Sequence, residues 1–256
     1  MPTEDFPERA LKILADHRDH FWFVHRNHVV ADALRMGGKS SRINMRILDL
    51  GCGAGTIAYY LFEKGYQVDA SDLFQSARSF LGQSLECNFF AFDLLNQAIP
   101  DARVGQYDVV VLGDVIEHFS DPVAVLKKAR KFLKINGRIV VTVPALAGLW
   151  TDYDVKSGHK KRYNQQTLRR EIKEAKYVVE MTAYFMLIPA FLLFFQRKLA
   201  WIFKPRNNDY TNVLQINPVV NLMMKAMMRL EYLLSRVVPL PIGSSLIGIG
   251  VMRHEG

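Results

Sequence analysis

The chain has 256 residues, half of them hydrophobic, with 33 lysines and arginines against 25 aspartates and glutamates, a formal net charge of +8. That balance excludes a wholly disordered chain, and near-average glycine and proline exclude collagen-like and low-complexity classes. Two cysteines, Cys52 and Cys87, are too few for a disulfide scaffold or a cysteine-built zinc site. A reducing compartment, the cytoplasm, is therefore expected. The opening residues MPTEDFPERALK lack the basic flank and apolar run of a secretory signal.

The first predicted element is a helix over 7–36, closed by Gly37-Gly38. It carries His17, His20, His25 and His28. Three of these could share a face, which admits a metal site, but an ordinary polar helix face is the plainer reading. The period then changes. Short apolar strands are expected over 46–50, 66–71, 87–92, 107–112 and 138–143. Helices are expected over 56–64 and 74–81, and a third opens at Asp121-Pro122, an N-cap followed by proline at the first helical position. Asn136-Gly137 reads as a turn and Pro144 as a strand stop. Later strands are expected over 177–184 and 245–253.

The strands are continuously apolar and alternate with helices of about ten residues, so a parallel sheet covered on both faces is predicted. Ligands in such sheets bind beyond the carboxyl ends of the strands. Gly51, Asp72, Asp93 and Gly113-Asp114 each follow a predicted strand directly. In Gly51-Cys52-Gly53-Ala54-Gly55 the backbone can approach a ligand closely at a helix start. Asp72, 21 residues after Gly51, can accept both hydroxyls of a ribose. The dinucleotide fingerprint G-x-G-x-x-G would need glycine at position 56, which is Thr56. An NAD(P)-dependent oxidoreductase is thus the lesser alternative, and a non-catalytic cofactor-binding or membrane scaffold is another.

The segments ILDLGCGAG, VDASDL, FDLL, YDVVVLGDVIEHFSDP and LKKARKFLKINGRIVVTVP, in this order, resemble the class I S-adenosylmethionine-dependent methyltransferases. The resemblance covers about residues 22–184 and is closest to the small-molecule branch that includes the ubiquinone-biosynthesis O-methyltransferases. It implies an α/β, Rossmann-like seven-stranded sheet with an N-terminal helix and a helical apolar insertion before the last strand. The domain plan it suggests is a cap over 1–43, a core over 44–183, an insertion over 184–243 and a final strand within 244–256. It further implies that Gly51, Gly53 and Asp49 lie at the amino-acid end of S-adenosylmethionine. Asp72 and Leu73 would lie at its ribose, Asp93 and Leu94 at its adenine and Gly113 at its methionine end. Arg26, in FWFVHR, resembles an arginine that meets the cofactor carboxylate. The segment TDYDVKSGHKKRY resembles D-x3-G-H-x-R-R-Y, with Lys161 in the first arginine place. Lys176 stands where a glycine is usual, which predicts a different helix cap.

Methyl transfer needs a positioned nucleophile and, for a hydroxyl acceptor, a base. His159, His118, Tyr163 and Tyr153 are the candidates, with His159 ahead of His118 for contact with the acceptor. Asp114 and Glu117 would enter only if a metal were used, and no metal-ligand spacing is seen, so no metal is expected. The acceptor is expected to be a small or lipid-like molecule. From Arg197 onward there are eight basic and three acidic residues. They are interspersed with aliphatics and show no dense basic run, so nucleic acid is not expected. The uncharged run over 184–195 is too short to span a membrane. Over 220–238, Asn221, Lys225, Arg229, Tyr232 and Arg236 form a polar stripe on a Leu/Met-rich helix. One reading is a core or lid helix with that stripe in solvent. The other is an interfacial helix, or a Met-lined pocket for a greasy substrate, so residues 184–238 could rest peripherally on a membrane.

Overall fold

The computed structural model describes residues 5–36, 45–82, 88–200 and 215–253. Two helices come first, α1 (Asp5–Asp16) and α2 (Phe21–Arg35). They are followed by β1 (Arg46–Leu50), α3 (Thr56–Glu63), β2 (Gln67–Asp72), α4 (Ala77–Leu81) and β3 (Phe89–Ala91). Next are β4 (Tyr107–Gly113), α5 (Pro122–Arg130), β5 (Leu133–Pro144), α6 (Asp152–Lys156) and α7 (Gln165–Glu174). The described chain ends with β6 (Val178–Phe185), α8 (Leu187–Ala200), α9 (Pro218–Ser235) and β7 (Ser245–Val251).

The strands form one seven-stranded sheet in the order β3-β2-β1-β4-β5-β7-β6. β1 to β5 pair in parallel, and β7 runs antiparallel to both β5 and β6. This is the expected seven-stranded Rossmann-like sheet. Alternate residues feed its two faces. Ile47, Val109, Val111 and Val140 pack with α2, α3 and α9, while Leu48, Val110, Leu112 and Val141 pack with α5 and α7. Both faces are covered, which is why the strands are apolar throughout.

Several local expectations hold. Asp121 accepts from Ala124 N at 3.0 Å and caps α5, with Pro122 opening it. Asn136, at φ +63°, turns the chain inside a bulge of β5, where Tyr107 pairs with Leu133 but Val109 with Arg138. The different cap expected at Lys176 is not found: at φ +67° the lysine takes the same left-handed position after α7 that glycine usually fills, with Lys176 N on Lys173 O and Tyr177 N on Ile172 O. The helix expected over 74–81 begins only at Ala77.

The single helix expected over 7–36 is instead two. His17 Nδ1 lies 2.8 Å from Ile13 O at the end of α1, and His20 caps α2 by accepting from Trp22 N at 3.2 Å. Histidine is not among the common capping residues, so the break is hard to see in the sequence. The histidines therefore do not share one face. His25 is buried beside Phe185 and Tyr232, and His28 packs on Tyr60. Burial, then the charge of neighbouring His28, pushes the His25 imidazole down to about 4. Gly37-Gly38 and Cys87 lie outside the described residues; the last described residue after α2, Met36, donates its N–H to Asp32 O and Ala33 O.

The polar stripe of α9 also departs from the solvated face expected of a core or lid helix. Asn221 Oδ1 accepts from Phe21 N at 2.8 Å, and Lys225 Nζ donates to Asp19 at 2.7 Å. Tyr232 OH donates to Asp32. Part of the stripe thus docks α9 on the α1–α2 junction. Buried Glu231 accepts from Leu187 N and Ile188 N, both at 3.0 Å, and so starts α8 on α9.

Candidate active site

β1 ends at Leu50 and the chain reverses through Gly51, Gly53 and Gly55, all at positive φ. At Gly51 (φ +80°) a Cβ would come within 2.7 Å of Val115 Cγ2, so a larger residue would be both strained and obstructed. Among the described residues, Gly53 has only Leu11 Cδ2, at 3.8 Å, near its Cβ position. Helix α1 therefore lies beside the loop. Arg18, between α1 and α2, donates to Ala54 O at 3.0 Å and to Phe80 O, tying the helical cap to it. No local pattern marks Arg18 for that role.

Asp72, at the end of β2, accepts from Gly53 N at 2.8 Å and from Phe74 N at 3.1 Å. Each carboxylate oxygen retains acceptor capacity. Burial raises its pKa, and the backbone bonds from Phe74 and Gly53 oppose that rise. Asp49 is buried beneath the loop and accepts from Ala58 N at 3.0 Å. Burial outweighs the nearby Arg26 charge and pushes the Asp49 carboxyl up to about 7. A raised carboxyl pKa favours the fold while the group is protonated, and that contribution is lost as pH rises from about 4 through about 7. Each pKa unit corresponds to about 1.4 kcal/mol. Asp49→Asn is therefore expected to gain about 5–10 °C in melting temperature relative to wild type between pH 5 and pH 8. Thermal melts at both values check this, and an unchanged gap would refute it.

Arg26 is buried on α2. Its Nη1 donates to Asp114 at 2.7 Å and its Nη2 to Thr56 Oγ1 at 2.6 Å. Arg26 Nε is a buried donor without a protein partner among the described residues. Asp114 follows β4 in the left-handed region (φ +57°) and also accepts from Thr142 Oγ1 at 3.2 Å. At Gly113 a Cβ would strike Ile57 Cδ1 at 2.2 Å. Asp93 is half-buried, and both of its oxygens serve the turn after β3, accepting from Leu95 N, Asn96 N and Asn96 Nδ2. Those bonds lower its pKa. Leu94 is buried beneath this turn, and Leu73 is exposed.

The second half of the site is the segment after β5. Asp154 is fully buried and accepts from Thr151 N (2.8 Å), Thr151 Oγ1 (2.9 Å), and Arg162 Nε and Nη2 (both 2.9 Å). His159 Nδ1 lies 2.8 Å from Asp154 Oδ1. Burial alone would raise the Asp154 carboxyl, but the His159 and Arg162 hydrogen bonds overcome it and hold the carboxyl below its usual range. An ionised carboxylate only accepts, so His159 carries its proton on Nδ1 and, when neutral, presents a lone pair at Nε2. The D-x3-G-H-x-R-R-Y resemblance aligns Asp154, His159 and Arg162 but gives Asp154 no role; in the structure Asp154 also closes a capping box with Thr151 at the start of α6.

His118 packs edge-on to His159, with ring centres 4.8 Å apart. Burial, then the His159 charge, pushes it down to about 4 while it bonds the Ser157-Gly158 backbone. It is a neutral wall beside His159. Tyr163 departs from its candidate catalytic role: it is 1% exposed in the core and burial raises its phenol far above the usual range. Its neighbour Lys161 stacks on its ring and donates to Glu171. Tyr153 lies 6.2 Å from the His159 ring. Glu117 is fully buried with neither side-chain oxygen hydrogen-bonded among the described residues, and burial, then the Asp114 charge, raises it well above the carboxylate range. Glu117, His118 and His159 each bring a donor atom within 4.8 Å of the others, a grouping that could hold a cation. Linear spacing does not reveal this grouping, because His159 is far away in sequence.

The Methyltransferase domain family profile matches residues 18–181. The chain belongs to this methyltransferase family. S-adenosylmethionine is the family's cofactor, and the residues fit its ribose diol, ammonium and carboxylate: Asp72 retains acceptor capacity, Asp49 is a second carboxyl, and Arg26 Nε is an unused buried donor. The chain is 30% identical over 101 residues to a ubiquinone biosynthesis O-methyltransferase of Idiomarina loihiensis, covering 37% of this chain and 40% of that protein. It is 31% identical over 114 residues to the protein of that name in Pectobacterium atrosepticum, covering 41% and 47%. The alignments thus span less than half the length of these relatives. Two solved structures share the fold. An S-adenosylmethionine-dependent methyltransferase of Thermotoga maritima superposes with a TM-score of 0.59 at 11% identity, covering 98% of both chains. A Haemonchus contortus phosphoethanolamine N-methyltransferase, solved with S-adenosylmethionine, gives 0.56 at 16% identity, covering 89% of this chain and 53% of that one.

Proposed function

We propose that the methyltransferase transfers a methyl group from S-adenosylmethionine to a hydroxyl of a small or lipid-like acceptor, with His159 as the base. The observation that carries this is the Asp154–His159 pair: a buried ionised carboxylate fixes the tautomer whose Nε2 can take a proton. The bound cofactor would supply an electrophilic methyl group. Asp72 would hold its ribose, with Leu73 alongside, and Asp93 and Leu94 would flank the adenine. Gly51, Gly53 and Gly113 would let the backbone approach it, while Asp49 and Arg26 would meet its amino-acid end. Arg26 would do so while clamping Asp114. His118, buried and neutral, would wall His159 and keep water from it. The O-methyltransferase names of the relatives support oxygen as the acceptor atom, and the word ubiquinone in those names supports a phenolic one with a lipid-like tail. The segment 184–243, which carries α8 and α9, would form the acceptor side, as pocket, lid or surface contact.

The test uses methyl-labelled S-adenosylmethionine with a catechol, bare or carrying an isoprenoid tail. Label is expected in the organic phase. His159→Ala is expected to lower kcat by about 10²–10⁴-fold while KM and cofactor affinity stay near wild type. A wild-type kcat in that variant would remove His159 as base. Binding of the cofactor without transfer to any hydroxyl would remove the acceptor assignment. Loss of activity on chelation would instead make the Glu117–His118–His159 grouping a cation site.

A further inference from the structure

Helix α9 is turned apolar side out. Val219, Leu222, Met223, Leu230, Leu233 and Leu234 are each more than half exposed, whereas its buried side is Met224, Met228 and Glu231. At 100° per residue the six exposed side chains fall within one broad stripe. An apolar stripe of this size, unpartnered among the described residues, is unusual on a soluble surface. It is continued on α8, which starts on Glu231 of α9 and exposes Leu192 and Phe195 by more than half. No helix among the described residues is long and apolar enough to cross a membrane.

The exposed charges that α9 and its C-cap set beside the stripe have one sign. Lys225, Arg229 and Arg236 line one border of it at a helical spacing of four and seven residues. Lys225 is held by Asp19, and Arg229 and Arg236 are exposed. The sole acid of α9, Glu231, is buried and committed to the start of α8. Between α2 and α9 a groove of about 180 Å³ is walled by Phe21, Val24 and Met228 and edged by Lys225 and Arg229. An apolar face with a cationic border matches the boundary between acyl chains and anionic headgroups. A second copy of the chain would offer no carboxylate from α9 to answer the arginines.

We infer that the exposed face of α9, extended by α8, docks flat on an anionic phospholipid bilayer. The 18 residues of α9 would lie about 27 Å along the interface. The inference does not depend on methyl transfer, because it needs neither cofactor nor acceptor.

The test is co-sedimentation of the full chain with vesicles of phosphatidylcholine alone or mixed with phosphatidylglycerol, cofactor omitted. Recovery with the mixed vesicles is expected, falling on neutral vesicles and at high salt. Leu222→Gln with Leu230→Gln, and separately Arg229→Glu with Arg236→Glu, are each expected to weaken partitioning about tenfold or more. All four side chains are exposed, so the melting temperature serves as the control for folding. Equal recovery with and without vesicles would overturn the inference. So would equal binding to both vesicle types unaffected by the arginine pair, or a lipid-indifferent dimer, seen by light scattering, that the leucine pair dissolves.

Discussion

Asp72→Ala is expected to weaken binding of S-adenosylmethionine and S-adenosylhomocysteine by about 100-fold or more. The estimate follows from the proposed contact: two hydrogen bonds from ribose hydroxyls to a charged acceptor, each worth about 1.5–3 kcal/mol. The carboxylate also tethers the loop internally through Gly53 N at 2.8 Å, so its removal frees the backbone that would face the amino-acid end. Calorimetric titration reads the effect directly and needs no acceptor. NAD is expected not to bind, because Thr56 stands where the dinucleotide loop has its third glycine. A variant that melts like wild type and binds within threefold of it would remove Asp72 from the ribose. Binding of NAD in place of the sulfur compounds would overturn the cofactor placement altogether.

The second large effect belongs to Asp154. Asp154→Ala leaves the Arg162 guanidinium buried without its carboxylate and frees Thr151 and His159 together. Breaking a buried pair from one side costs about 3–5 kcal/mol. For a chain of this size the melting temperature is expected to fall by roughly 10 °C. The pH dependence has a definite sign. The folded carboxyl lies below its ordinary value of 3.8, so the stability it contributes is present above that value and lost as pH falls below it. The gap between wild type and variant should therefore hold from pH 8 to pH 5 and close in stronger acid. Differential scanning calorimetry across that range is the check. A gap that closes already between pH 8 and pH 6 would contradict an ionised Asp154. In the transfer assay Asp154→Asn is expected to lower kcat more than KM, because it disturbs the tautomer of His159 and leaves the cofactor contacts in place.

These two residues differ in how visible they were. Asp72 stands alone after an apolar strand, at a fixed distance from a glycine loop, and strand ends in parallel sheets are where ligands sit. Asp154 is one of two acids in TDYDVKSGHKKRY, and although it opens the D-x3-G-H-x-R-R-Y resemblance, no rule of composition or spacing gives it a role. Its importance arises from burial, which depends on how the segment folds back over β5. The same holds for Arg18, whose partner carbonyls at Ala54 and Phe80 lie 36 and 62 residues away. Glu117, His118 and His159 meet only because Lys160 N bonds Glu117 O at 2.7 Å and brings the two segments together. The break between α1 and α2 was missed because its cap is a histidine.

The sequence by itself determined the sheet, its parallel strands and the glycine loop, because backbone conformation and strand burial are encoded within windows of a few residues. It also determined the family, and it singled out Asp72 as the acid after the second strand, because those signals come in fixed order along the chain. Only the tertiary structure decided what the long-range contacts do. It committed Arg26 to Asp114 and Thr56, buried Tyr163 in the core while pairing His159 with Asp154, and turned the Leu/Met face of α9 outward by docking its polar stripe on α1 and α2. The physical reason is one of range: a helix periodicity states that two faces differ, but which of them is buried is fixed by the surface that the rest of the chain presents to it.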